Sequence, residues 1–284
     1  MQIHKKTYSM KQKPANTNLG VSLWLCPKKN TALYDKLQVL MRLLATVFPG
    51  QPPQFEPHIT ITSNIVLDTE NARDDVNRIL LACCIALDSL PRDSVDEHWI
   101  RTGRVASQKR YFKKLYFQVF RDPTLVSFAR IVRELFVILP EKTELENKAK
   151  NPHLFTTDSA GNIVRRKSAL RDRKHAQKQT QLPESALDLP RIRLELALEA
   201  ARWSTDEFDP HLSLVYSDLH PIDTALWHTI RSRVLDYLSL EDCDLAQWDV
   251  HGNGLSWEGG VLKLVLCEGD VSEWPVLGSV DLHM

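Results

Sequence analysis

Phe55-Glu56-Pro57-His58-Ile59-Thr60-Ile61 is answered later in the chain by Phe208-Asp209-Pro210-His211-Leu212-Ser213-Leu214. Phe, Pro and His are identical in the two copies, while Glu answers Asp, Ile answers Leu and Thr answers Ser. From each His onward polar and apolar residues alternate, the period-two pattern of a half-buried strand. In such a strand His58 and Thr60 point to one face and Ile59 and Ile61 to the other, and His211 and Ser213 share a face in the same way. The chain therefore predicts two strands, each presenting an imidazole beside a hydroxyl. A lone strand histidine would read as a satisfied core residue; a matched pair with matched flanks reads as a functional device.

Imidazole exchanges a proton near neutral pH, so two of them supply a base and an acid together. A hydroxyl donates a hydrogen bond without carrying positive charge, which suits a phosphoryl oxygen. Two such strands converging on one point would make a metal-free device for displacement at phosphorus. An attacking water would lose its proton to one imidazole, and the leaving oxygen would gain one from the other.

These two strands, with the flanking Val21-Ser22-Leu23-Trp24-Leu25-Cys26-Pro27 and His211-Leu212-Ser213-Leu214-Val215-Tyr216, resemble the 2H phosphoesterase superfamily. Within it the chain is most similar to the fungal and plant 2',3'-cyclic-nucleotide 3'-phosphodiesterases. Arg101-Thr102-Gly103 and Leu264-Val265-Leu266-Cys267 are weaker matches. The resemblance implies an α+β fold of two lobes with pseudo-two-fold symmetry, each an antiparallel sheet flanked by helices, and an active cleft between them. It implies His58 and His211 as the catalytic acid and base, assigned here as acid and base respectively, with Thr60 and Ser213 on the phosphate. Tyr216 and Trp24 are further candidates for contact with phosphate or base; each is also readable as a core aromatic. The implied substrate is a ribose 2',3'-cyclic phosphate opened to the 2'-phosphate, and the family also acts on ADP-ribose 1'',2''-cyclic phosphate, a by-product of tRNA splicing. No cofactor and no metal are expected, since no H-E-x-x-H, Walker loop or carboxylate cluster appears. No G-x-S-x-G elbow marks a serine hydrolase either.

Lys plus Arg and Asp plus Glu are both 36, giving a formal net charge of 0. A protein that tracks a phosphate polymer usually carries a basic excess, so the balance favours a small-molecule partner over long nucleic acid; the protein itself is expected to be a monomer. The 5 cysteines are odd in number and lack C-x-x-C spacing, which fits reduced thiols of an intracellular, cytoplasmic protein better than a disulfide framework; endomembrane association is left open. No run of about 18 apolar residues suggests a membrane span.

The polar, basic residues 1–18 read as a flexible tail, and 19–284 as the bilobal domain. Gly20 to Cys26 predicts a strand, and Thr31 to Phe48 a helix burying Leu33, Leu37, Leu40, Met41 and Leu44. Asp68 to Leu90 predicts a second helix, capped by Asp68 or Thr69, with Val76, Ile79, Leu80 and Cys83 inside. Trp99 to Ala106 and Arg110 to Phe120 predict two strands joined around Ser107-Gln108. A helix from Asp122-Pro123 to about Leu139 follows. The stretch from Glu141 to Leu182, rich in Lys, Arg, Gln, Ser and Asp with basic clusters at Arg165 to Lys167 and Arg171 to Lys178, reads as a solvated insertion. Arg191 to Trp203 returns as helix. After the second His strand comes a helix capped by Ser217 or Asp218. Strands Ala246 to Trp257, Val261 to Cys267 and Val276 to Leu282 close the chain, with a turn at Gly259-Gly260.

Other functional classes fit parts of this pattern. An RNA 3'-end-processing phosphodiesterase would use the basic stretch as a groove. A non-catalytic nucleotide-binding module would use the same cleft without needing two proton carriers. A scaffold would act through the polar insertion.

Overall fold

A computed structural model describes residues 20–68, 71–91, 98–159, 161–165, 187–219, 221–239 and 255–282. Strand β1 (Val21–Cys26) leads to helix α1 (Ala32–Ala45), where the Thr31 hydroxyl caps the start by accepting from the Tyr34 amide. Of the expected stripe, Leu37, Leu40, Met41 and Leu44 are buried and Leu33 is only partly so. Strand β2 (Ile59–Ile65) precedes α2 (Ala72–Asp88), which buries Val76, Ile79, Leu80 and Cys83 as expected. Its N-cap is Asn71 rather than Asp68, because the Asp68 amide is engaged by Asp75 Oδ2 and its carboxylate by the Asn71 side chain.

Strands β3 (Ile100–Ala106) and β4 (Leu115–Val119) follow, the second starting later than its alternation suggested because Tyr111–Lys113 closes a 3₁₀ turn. Helix α3 (Pro123–Arg133) passes through a π turn (Glu134–Ile138) into α4 (Leu139–Lys150). The expected stop near Leu139 is thus corrected: the chain stays helical to Lys150. Pro140 has no amide to give the Phe136 carbonyl four residues back, and that carbonyl accepts instead from Val66 N at 3.1 Å. Helix α4 has no buried residues of its own. Ion pairs Lys148–Glu144 and Lys150–Glu146 run along it, and Lys142–Glu199 and Arg191–Glu146 tie it to α5 (Leu189–Asp206). The polar insertion therefore begins as helix and continues as the hairpin β5 (Phe155–Thr157) and β6 (Ile163–Arg165). Residues 166–186, including most of the basic clusters, lie outside the described residues, as do 1–19 and 240–254.

Strand β7 (His211–Val215) carries the second histidine, and α6 (Thr224–Leu238) follows it, capped by Asp223 and not by Ser217 or Asp218. Ser217 instead accepts from the Leu219 amide in a local turn. Strands β8 (Ser256–Trp257), β9 (Gly260–Leu266) and β10 (Val276–Leu282) complete the chain.

Eight strands form one antiparallel sheet in the order β10-β9-β1-β2-β7-β4-β3-β8. The lobes are β10-β9-β1-β2 and β7-β4-β3-β8, so the C-terminal strands return to complete the first lobe and the sequence halves interleave. Gly259 and Gly260 do not make a hairpin, since β8 and β9 belong to different lobes. In a flat sheet their separation would be roughly 29 Å at ~4.8 Å per strand, yet three Cα steps reach at most ~11 Å. The sheet is therefore curled. Gly260, at φ 111°, lies where a side chain would collide with the Cys26 carbonyl.

Helices cover the face opposite the histidines. Helix α1, which follows β1 of one lobe, packs on β7 of the other, and α3, which follows β4, packs on β2. A single core cluster runs from Leu23 and Ile59 through Leu212 and Phe117. Packing across the seam, more than backbone pairing, unites the lobes.

Candidate active site

The two His strands are neighbours, joined through the pair Ile59↔Leu212. Both side chains are fully buried on the helical side. Antiparallel pairing about that point sets His58 opposite Ser213 and Thr60 opposite His211, all four on the other face. Residues directly opposite stand ~5 Å apart at Cβ and the diagonal histidines about 7–8 Å apart in regular pairing.

Both imidazoles are tethered alike. His58 Nδ1 lies 2.6 Å from the Glu56 carbonyl, and His211 Nδ1 lies 2.8 Å from the Asp209 carbonyl. A carbonyl only accepts, so each Nδ1 carries its proton and each Nε2 is the unprotonated nitrogen of the neutral ring. The intervening Pro57 and Pro210, with φ fixed, hold the carbonyl back toward the Nδ1 edge of the ring. The acidic side chains of the repeat each bind a lysine as well. Glu56 accepts from Lys263 Nζ at 2.6 Å, and Asp209 accepts from Lys113 Nζ at 2.7 Å. Burial works against Glu56's charge, yet Lys263, with Lys29, holds its carboxyl below the ordinary value. From beyond, the Arg121 guanidinium grips the Phe208 and Ser204 carbonyls and fixes the approach to β7.

Aromatic rings wall the site. Trp24 stacks on His58 with centroids 3.6 Å apart and planes 6° from parallel. At 5% exposure it is buried, so its face is occupied by the imidazole. Tyr216 stacks on Phe55, and its hydroxyl lies 3.3 Å from His58 Nε2. Ser213 donates to the Phe112 carbonyl at 3.2 Å. Thr60 is half-buried. The structure thus brings Trp24, His58, Thr60, His211, Ser213 and Tyr216 to one place.

One group escaped the sequence reading. Tyr116 sits opposite Ser213 and meets His211 edge-on at 5.3 Å, matching Trp24, which sits opposite Thr60 and covers His58. The signal was the same alternation that marked β4: Leu115, Phe117 and Val119 face the core, so Tyr116 and Gln118 face the site.

Burial dominates the electrostatics. Desolvation pushes both imidazoles down to about 4; at His58 the charge of His211 adds to it, and at His211 that of Lys113. Each imidazole therefore rests neutral, and an anion between them would reverse the penalty. Burial raises the Tyr216 phenol, which stays protonated. Among the described residues no three His, Cys, Asp or Glu side chains gather as metal ligands, and no helix is long and apolar enough to cross a membrane.

A family model described as "Cyclic phosphodiesterase-like protein" matches residues 19–282. The chain belongs to this family. A Debaryomyces hansenii protein named 2',3'-cyclic-nucleotide 3'-phosphodiesterase is 56% identical over 248 residues, 86% of this chain and 99% of that relative. A Candida albicans protein of the same name is 53% identical over 268 residues, 93% of this chain and 100% of the relative. A Saccharomyces cerevisiae protein, also so named, is 27% identical across 93% of this chain and 100% of its own length. Membership makes this chain an enzyme of cyclic phosphodiester hydrolysis, and its curled two-lobed sheet is the fold the paired histidine strands implied.

Proposed function

We propose that the enzyme hydrolyses ribose 2',3'-cyclic phosphates to 2'-phosphates, and opens ADP-ribose 1'',2''-cyclic phosphate to the 1''-phosphate by the same chemistry. The observation that carries the reading is the pairing that sets His58 and His211 on one face of adjacent strands, each with its Nδ1 tethered to a backbone carbonyl, beside two hydroxyls. The cyclic phosphate, a monoanion, sits between the imidazoles, restores the charge balance that burial removed, and raises both pKa values toward neutrality. His211, the more exposed of the two, takes a proton from the attacking water as its oxygen bonds to phosphorus. The bond from phosphorus to the 3' oxygen breaks, and buried His58 protonates that oxygen. Thr60 and Ser213 hold the non-bridging oxygens, Ser213 turning its hydroxyl from the Phe112 carbonyl as it does so. Trp24 supports His58 from below. No step calls on a metal or cofactor.

The test is incubation with 2',3'-cyclic AMP in EDTA, the products resolved as 2'- or 3'-AMP, with His58→Ala and His211→Ala alongside. Formation of 2'-AMP, lost in both variants, is expected. Formation of 3'-AMP, a requirement for added divalent ion, or full activity in either variant overturns the reading.

A further inference from the structure

The site face is ordered in rows across the sheet. One row runs from Trp24 on β1 through Thr60 and His211 to Gln118 on β4. Its counterpart under the pseudo-two-fold runs from Tyr116 through Ser213 and His58 to Cys26. Three of the four positions match in kind: aromatic, hydroxyl, imidazole. The fourth does not. Cys26 is fully buried, a small apolar filler behind His58, whereas Gln118 is half-buried and sits directly opposite His211.

The Gln118 amide has a determined orientation. Its Oε1 receives a hydrogen bond from Arg104 Nε at 2.9 Å. A guanidinium only donates, so the amide oxygen must face Arg104 and the NH₂ must face away. Among the described residues that NH₂ has no hydrogen-bond partner. The site is also short of donors for an anion. Ser213 directs its single proton to the Phe112 carbonyl, while each non-bridging phosphoryl oxygen accepts more than one hydrogen bond.

We propose that the Gln118 carboxamide nitrogen is a third hydrogen-bond donor to the phosphoryl oxygens, on the His211 side of the cleft, with Arg104 as the positioning residue that presents it. The inference rests on the cyclic-phosphodiester reading above. It also breaks the near-symmetry of the site, because among the described residues the matching position of the His58 half is Cys26 and not an amide, and so fixes which way round the substrate lies.

The experiment compares Gln118→Leu, Gln118→Glu, Arg104→Met, Arg104→Lys and the double variant Gln118→Leu/Arg104→Met. Readouts are turnover of 2',3'-cyclic AMP across pH and calorimetric titration with inorganic phosphate. Loss of a donor to a charged acceptor predicts a weakening of phosphate binding of about ten-fold or more in Gln118→Leu, with a matching fall in kcat/KM. Arg104→Met loses part of this by freeing the amide to turn, Arg104→Lys recovers it by restoring a donor to Oε1, and the double variant is no worse than Gln118→Leu. Gln118→Glu binds phosphate more weakly still, and its carboxylate raises the His211 pKa, moving the acid limb of the pH profile upward. The proposal fails if Gln118→Leu binds phosphate and turns over substrate within two-fold of the parent, or if the two losses add. A merely structural role would lower thermal stability without changing phosphate affinity or the pH profile. Failure of the parent on 2',3'-cyclic AMP would sink the proposed function, while the phosphate titration would still decide the role of Gln118.

Discussion

The Tyr216 hydroxyl meets Nε2 of His58, at 3.3 Å, across the seam between the lobes. Because His58 Nδ1 donates to the Glu56 carbonyl, Nε2 of the neutral ring is an acceptor and the phenol is its donor. This bond favours neutral His58 and adds to the effect of burial. Tyr216→Phe keeps the stacking on Phe55 and removes only the hydroxyl. Its expected cost is about 1 kcal/mol, roughly five-fold in kcat/KM. The His58 pKa should rise, so the alkaline limb of a bell-shaped pH–rate profile moves to higher pH. An unmoved profile would mean that Tyr216 does not touch His58 in the working enzyme.

Burial of the histidines makes stability depend on pH. Their folded pKa values of about 4 lie below the ordinary 6.5. Between those values the unfolded chain binds protons that the folded chain does not, so stability rises with pH through this window. It is fully present above about 6.5 and is lost as pH falls toward 4. For His58, 2% exposed, the gap from 6.5 to about 4 corresponds to an upper limit of about 3 kcal/mol by pH 4. Thermal melts should fall steeply from pH 7 to pH 4.5, and a His58→Gln variant should fall less. Inorganic phosphate, by charging the pair, should raise the melting temperature more at pH 5.5 than at pH 8. A phosphate effect independent of pH would contradict the coupling.

How much of this was legible beforehand depends on what carries each feature. The histidine strands and the buried stripes of α1 and α2 are local periodicities, and β1, buried on both faces, shows as a continuous apolar run. Helix α4 was not legible, since it has no dry face: its stability comes from ion pairs and from contact with α5, more than forty residues on. The caps Asn71 and Asp223 were missed because several candidate capping residues stood in line, and the local turns that engage Asp68 and Ser217 carry no periodic signal. The pairing of β2 with β7 is non-local, and with it the diagonal that sets the histidines apart. Tyr116 was visible in the alternation of β4 but had no motif to single it out.

Glu56 and Lys263 test how the histidine loop is held. Their side chains are 15% and 9% exposed, and Tyr34 adds a hydrogen bond to the same carboxylate. Lys263→Met leaves that carboxylate largely buried without its main partner, which should cost about 2–4 kcal/mol of stability. Glu56→Gln in the same chain should recover much of it, since the neutral amide needs no counter-charge. The Glu56 carbonyl anchors His58 through the backbone, so the double variant should also keep most of its activity. Additive losses in a double-mutant cycle would show that the pair does not act as a unit.

The last prediction separates the two histidines, which the near-symmetric site makes hard to tell apart. If His58 protonates the leaving oxygen, its removal matters only when that oxygen needs a proton. A p-nitrophenyl phosphodiester releases a stable phenolate without one. With 2',3'-cyclic AMP, His58→Ala and His211→Ala should each lower kcat by about 10²–10⁴. With the activated ester, His58→Ala should recover at least ten-fold relative to the parent, while His211→Ala stays as impaired, because the water still needs its base. The opposite pattern would exchange the roles. The greater burial of His58 and its bond to Tyr216 would then be features of the base, and the less buried His211, beside Gln118, would serve the leaving group.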